Sequence, residues 1–214
     1  MLVVGGATGL GAELALGLAD HGARVVVATP DADRADAARM ALGEAGATLG
    51  RVDAVVDALA DPEALVPTSI AELDDAAWER RCEAALRAAL ACAQAAFVLL
   101  RAHGGRLILV TPTVGITGGA GLAPFAAAVE GRRGLAKSAA RQWGRHGITV
   151  NCVAPPVALL APGAADPAIE APALGRLPDG RADVAPVVAM LVADPGHFVT
   201  GATVTVDGGV VMAP

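Results

Sequence analysis

The run Gly5-Gly6-Ala7-Thr8-Gly9-Leu10-Gly11 follows a short apolar stretch and opens a stretch of helical periodicity. Glycines in that place let the chain turn tightly and let a phosphate approach the backbone. The start of the helix adds free N–H groups and positive potential. The spacing is Gly-xxx-Gly-x-Gly rather than the GxGxxG of most dinucleotide folds. It predicts a pyrophosphate site with Gly5, Gly9, Leu10 and Gly11 as its contacts. The competing reading is a turn that keeps its glycines for packing only. Groups that could move a proton are scarce: the chain has no tyrosine, Lys137 is its single lysine and Asn151 its single asparagine. His21, His103, His146 and His197 are scattered near the ends of the predicted elements. Cys82, Cys92 and Cys152 form neither a CxxC nor a Cys/His cluster, so no metal site is expected. They read as reduced, mostly buried thiols of a cytoplasmic protein.

These residues must be positioned by one domain, spanning 1–214, because 214 residues suit a single sizeable core. Hydrophobic residues make up 54% of the chain and aromatics only 2%, so that core is built of Ala, Val and Leu. A net charge of -6 with no basic run argues against nucleic acid as a partner. The N-terminal stretch has neither the charged region nor the long apolar region of a signal peptide. The apolar stretch Ala84–Leu100 carries Arg87 and Gln94 and is flanked by Arg80, Arg81 and Arg101, which fits an interface helix better than a membrane span.

Strand-like and helix-like runs alternate. Strands are expected at Leu2–Val4, Arg24–Ala28, Val52–Val56, Arg106–Val110, Ile148–Val153 and Ala202–Val206. Helices are expected at Ala12–His21, Ala32–Ala45, Asp74–His103, Leu122–His146 and Ala182–Ala193, several of them ended by glycine. The strands are continuous apolar runs, as in a sheet covered on both faces. The fold class is therefore α/β: a Rossmann-like, doubly wound parallel sheet of about six strands in a three-layer αβα sandwich. The irregular stretch Pro155–Gly180 reads as a lid or binding loop.

Nearly the whole chain resembles the short-chain dehydrogenase/reductase family. Gly5-xxx-Gly9-x-Gly11 is similar to the family's TGxxxGxG, with Val4 where Thr is usual. Leu49-Gly50-Arg51-Val52-Asp53 resembles its fourth-strand entry and Gly105-Arg106-Leu107-Ile108 its fifth strand. Gly147-Ile148-Thr149-Val150-Asn151 through Pro155 is similar to "GIRVNAVAPG", and Thr200-Gly201 through Gly209 to "TGQTLNVDGG". The resemblance also implies what is lost. The family's YxxxK falls on Phe125 and Val129, its Ser on Pro112 and its helix-borne Asn on Ala85. Phe has no hydroxyl and Val no charge, so the general acid and its pKa-lowering partner are gone. Thr111 and Thr113 could still hydrogen-bond a carbonyl, Lys137 points elsewhere, and Asn151 is structural. "NNAG" becomes Asp57-Ala58-Leu59-Ala60, and "PGxxxT" becomes Pro155-Pro156-Val157-Ala158-Leu159-Leu160. The acid that would select NAD falls on Thr29, with Asp31 as the nearest substitute. A strand of the usual seven is missing after the second, at the edge of the sheet.

The resemblance implies a degenerate subunit. It would pair with a catalytically intact relative, or with itself, through the alanine-rich helices 74–103 and 122–146, with the C-terminal stretch 203–214 as a second contact. Binding of NAD or NADP would be weakened or lost. Two alternatives stay open: an NAD(P)-dependent oxidoreductase active by itself with unusual residues, and a nucleotide-sensing protein.

Overall fold

The computed structural model describes residues 1–5, 9–30, 35–161 and 171–212. Six strands, β1 (Leu2–Val4), β2 (Val26–Ala28), β3 (Ala54–Asp57), β4 (Gly105–Val110), β5 (Ile148–Ala154) and β6 (Thr203–Thr205), form one parallel sheet in the order β2-β1-β3-β4-β5-β6. Leu2, Val3 and Val4 are fully buried, as a strand covered on both faces requires. The winding reverses beside β1, whose neighbours are β2 on one side and β3 on the other. A crevice opens at such a reversal, outside the carboxyl ends of the strands.

The helices are α1 (Gly9–Asp20), α2 (Ala35–Leu49), α3 (Asp75–Leu100), α4 (Val114–Thr117), α5 (Ala123–Trp143) and α6 (Ala185–Val192). On one face of the sheet α2, α3 and α5 pack over a core of Leu42, Cys92, Leu100, Leu107, Leu109, Ile148 and their neighbours. On the other face α1 and α6 cover Leu14, Leu18, Ile108, Val153, Val188 and Leu191. The three-layer sandwich of six strands is thus as the sequence pattern leads one to expect. Only α2 joins β2 to β3, so β2 is the sheet's edge among the described residues.

Element ends differ from the periodicity by a few residues. α3 ends at Leu100 rather than His103, and contains one π turn at Glu79–Glu83. Asp74 caps it by accepting the Ala77 amide at 2.7 Å. α5 gives way at Gly144–His146 to a tighter turn, closed by Gly147 at φ 69°. A π turn, Gly180–Val184, precedes α6. The short turns at Pro62–Leu65 and Ile70–Glu72, and α4 itself, are too brief to leave a periodic trace.

α3 is long and apolar enough to cross a membrane, and only 39% of its most apolar window is buried within the chain. Its inner side packs on α2 and α5. Leu90 and Val98 remain exposed.

Candidate active site

The carboxyl ends of β1, β3, β4 and β5, with α5 above them, bring the expected site residues together. Gly5 ends β1 at φ 82°, and its amide donates to the Ala28 carbonyl at 2.8 Å. A Cβ there would stand 2.9 Å from the Ala58 oxygen and from the Leu59 backbone. This glycine is therefore required both by the turn and by the loop after β3 pressed against it. Gly9 has φ 58° and open space where a side chain would be, at the first turn of α1. No acidic residue occupies that turn. Its positive potential and free amides suit a pyrophosphate. Leu10 and Gly11 are buried; the Leu10 side chain belongs to the core against α6 and can offer a ligand only its backbone. Asp31, residues 6–8 of the glycine turn and residues 162–170 of the expected lid lie outside the described residues.

The positions on which the resemblance places the proton chemistry are packed shut. Phe125 is 6% exposed and Val129 1%. They pack with Ala64 and Leu65 from the turn after β3, Val114 from α4, Leu122, and Val157 beyond β5. Loops from three strands thus meet α5 in one apolar plug. Pro112 is buried beside it, and Ala85 of α3 is half-buried. Between Ala85, Ala88, Phe125, Val129, Asp57 and Arg132 lies a cavity of about 20 Å³, roughly the space of one water.

Thr111 and Thr113 were the hydroxyls left to meet a carbonyl, but both are buried and turned inward. Thr113 Oγ1 donates to the Pro155 carbonyl at 3.4 Å, and Thr111 Oγ1 lies 3.5 Å from Arg133 Nε. The expectation that they could serve a substrate fails because their partners are already inside the protein. Lys137 is exposed on the far side of α5. Asn151 is fully buried; its amide group donates to the Val199 carbonyl at 2.7 Å and accepts the Ala202 amide at 3.1 Å. That clamp is the structural role expected of it.

Sequence reasoning placed Asp57 after the third strand but missed its partner Arg132, and missed Arg133. Asp57 closes β3 and is 1% exposed. Its Oδ1 accepts the Leu59 amide at 3.0 Å, and Arg132 Nη2 stands 2.9 Å from Oδ2. That second contact is an ion pair by distance, but Oδ2 has no well-directed hydrogen bond. Arg132 also donates to the Leu59 carbonyl at 2.9 Å and the Asp57 carbonyl at 3.2 Å. It therefore latches the loop that touches Gly5 to α5. Arg133 does the same for the next loop, donating to the carbonyls of Thr111 and Pro112 at 3.1 and 3.3 Å and pairing with Glu130 at 2.7 Å. Burial draws its pKa below the ordinary guanidinium value, opposed by Glu130. The available signal was two consecutive arginines one turn past Val129 on a buried helix face, together with an aspartate ending an apolar strand.

The thiols are equally enclosed. Burial pushes Cys92 well above the usual thiol range, with Asp57 adding to the effect, and burial also raises Cys152. Among the described residues no three His, Cys, Asp or Glu side chains gather as metal ligands.

Comparison with known proteins bears on this geometry. A family model described as Enoyl-(Acyl carrier protein) reductase matches residues 30–211. The chain is 34% identical to cis-4-hydroxycyclohexanecarboxylate dehydrogenase of Sinomonas cyclohexanicum, over 97% of this chain and 94% of that one. It is 30% identical to the (2S)-[(R)-hydroxy(phenyl)methyl]succinyl-CoA dehydrogenase subunit BbsD of Thauera aromatica, over 97% of this chain and 94% of that one. It is also 30% identical to the 3-oxoacyl-[acyl-carrier-protein] reductase FabG of Escherichia coli, over 99% and 96%. A crystal structure of a blue fluorescent protein from a metagenomic library in complex with NADPH superposes with a TM-score of 0.82 at 25% identity, over 99% of this chain and 97% of that one.

Proposed function

The chain belongs to the short-chain dehydrogenase/reductase family, a family of NAD(P)-dependent oxidoreductases, and from that premise we propose that it is a non-catalytic member. It acts as a subunit that pairs with a catalytically intact relative and completes a hetero-oligomeric dehydrogenase or reductase. The single observation that carries this reading is the apolar plug. Hydride transfer between a nicotinamide and a carbonyl needs a group to supply or take the proton. The family's positions for it are Phe125, Val129, Pro112 and Ala85. Three of these are buried in contact with protein, and Phe125 and Val129 lie inside the plug. Of the ionisable groups there, Asp57, Arg132 and Arg133 are committed to ion pairs and backbone carbonyls, and Asp61 caps the Glu63 amide at 2.9 Å.

The partner surface is the outer side of α3 and α5. Gly131 of α5 lets the two helices close: a Cβ there would meet Leu86 Cδ2 at 2.5 Å. Leu90 and Val98 are left facing outward on a helix that is mostly uncovered. The name of the Thauera relative, a dehydrogenase subunit, is in keeping with such an assembly. The assembly is cytoplasmic, as the reduced thiols suggest.

Residues at Gly5, Gly9, Leu10 and Gly11 suit the pyrophosphate of NAD or NADP, with Asp31 as the acid nearest the adenosine ribose. The nicotinamide end does not fit as well, because Val129 offers no hydrogen bond to its ribose. Binding is therefore weakened. A nucleotide-sensing role is the second reading, favoured by the open first turn of α1. The test is turnover by the purified chain, with NADH and NADPH, against a panel of carbonyls and alcohols, together with capture of its partners from the native host. No turnover and a stoichiometric intact relative support the subunit reading. Turnover at ordinary enzyme rates overturns it, and nucleotide binding without partner or turnover turns the role into sensing.

A further inference from the structure

The chain carries a net charge of -6. Yet α3 with Arg101, and α5 with the turn that ends it, hold nine basic residues and four acidic ones over 75–101 and 123–146. Base is thus gathered on one helix pair of an acidic protein. Three of the four acids there are already engaged: Glu79 and Glu83 with Arg87 at 3.3 and 3.4 Å, and Glu130 with Arg133 at 2.7 Å. Arg101, Lys137, Arg141 and Arg145 are different. All four are exposed, and among the described residues none pairs with an acid. Lys137, Arg141 and Arg145 follow one another at intervals of four, which lines them up along the outer side of α5. Phe97 of α3 packs on Trp143 and His146 at ring separations of 5.1 and 5.3 Å, so Arg101 stands at the same end of the pair. The fourth acid, Asp75, lies in the first turn of α3, about 39 Å away along the helix.

This cationic cluster borders the surface already assigned to the partner. Leu90 and Val98 are exposed beside it, and the small Gly134 and Ser138 lie within it, also exposed. Such a mixture suits close contact with a protein rather than with a row of phosphates. Whichever way two helix pairs cross, a second copy presents the same excess of base and only Asp75 as a free acid. Charge of one sign on both sides costs affinity and slows encounter. A helix pair with exposed aspartate or glutamate at matching positions gains on both counts. We infer that this cluster selects the partner: the outer side of α3 and α5 takes an intact family member whose own helix pair is acidic, and turns away a second copy of this chain. The identity of the occupant rests on the subunit reading above; the repulsion between copies does not.

The test is Lys137→Glu with Arg141→Glu and Arg145→Glu in the full chain, mixed with wild type and weighed by native mass spectrometry across a salt series. The three side chains are exposed, so the fold is kept, and circular dichroism checks it. At low salt the mixture is expected to yield a pair of wild type with variant in excess over either chain paired with itself, tighter than the wild-type pair by about a hundredfold or more. The excess is expected to vanish as salt approaches about 0.5 M. The neutral triple variant, with Gln at the same three positions, is expected to pair with wild type about tenfold more weakly than the glutamate variant does. A mixture at statistical proportions, a composition indifferent to salt, or equal binding by the two variants overturns the proposal. This readout needs no partner from the host. Failure to recover an intact relative therefore counts against the subunit reading alone, whereas recovery of a relative with no acidic residue on its exposed helix pair overturns this proposal.

Discussion

Putting the family's pair back, as Phe125→Tyr with Val129→Lys, should damage the protein rather than awaken it. Val129 is 1% exposed and surrounded by Phe125, Val114, Leu122 and Val157. The buried carboxylate near it, Asp57, is already paired with Arg132 at 2.9 Å. The half-buried Asp61 lines the same small cavity, but its carboxylate already caps the Glu63 amide at 2.9 Å, so the full cost of a lysine there is that of folding it neutral. Holding neutral at pH 7 a group with an ordinary pKa of about 10.4 costs about 4–5 kcal/mol, at about 1.4 kcal/mol per unit. A tyrosine hydroxyl buried without a partner adds about 1–3 kcal/mol. The sum, about 5–8 kcal/mol, is comparable with the whole stability of an ordinary domain, about 5–15 kcal/mol. Urea unfolding followed by circular dichroism reads it. The sign with pH is a second check. The folded-state pKa of the new lysine lies below its unfolded value, so the unfolded chain binds the extra proton and the penalty shrinks as pH rises. The gap between variant and wild type should narrow by about 1.4 kcal/mol per unit between roughly pH 7 and pH 10. A variant within about 1 kcal/mol of wild type, with a gap flat in pH, would show that the ammonium reaches water and would refute the sealed plug.

Arg132→Met should destabilise the chain by about 3–5 kcal/mol, because it strands the buried Asp57 carboxylate; adding Asp57→Asn should recover part of the loss in the same urea titration. Gly5→Ala should cost about 2 kcal/mol or more, from a positive φ combined with contact against the Leu59 backbone, and should weaken any NADPH binding seen by fluorescence. Cys92 and Cys152 should resist a thiol reagent until the chain unfolds. Because burial raises both pKa values above 9.0, their contribution is fully present below that value and stability should fall as pH rises beyond it, which thermal melts in alkaline buffers will read. Val98→Glu should abolish recovery of the partner while leaving the melting temperature unchanged.

Much of the fold was legible because β-branched runs such as Leu2–Val4 and Ile148–Ala154 can only be covered strands, and glycines such as Gly147 mark where helices must stop. The missing unit before β3 was legible only through the resemblance, which sets the short connection between β2 and β3 against a longer one. The site was half legible. Phe125, Val129 and Pro112 could be placed by motif, but that their neighbours close over them depends on Leu65, Val114 and Val157, which come from three loops far apart in sequence. Arg132 and Arg133 escaped because periodicity assigns arginine to the surface. Only the tertiary placement of the loops after β3 and β4 reveals carbonyls for them to hold. Thr111 and Thr113 misled for a related reason, since a hydroxyl's partner cannot be read from its type.

The most direct test of the subunit reading is a tagged pull-down of the full chain from its native host, with the intact assembly weighed by native mass spectrometry and assayed for NAD(P)-dependent turnover. The account predicts a stoichiometric complex with a family member that retains its Tyr and Lys, and turnover that is absent from this chain alone. A homo-oligomer that reduces or oxidises a substrate with no such partner would contradict it.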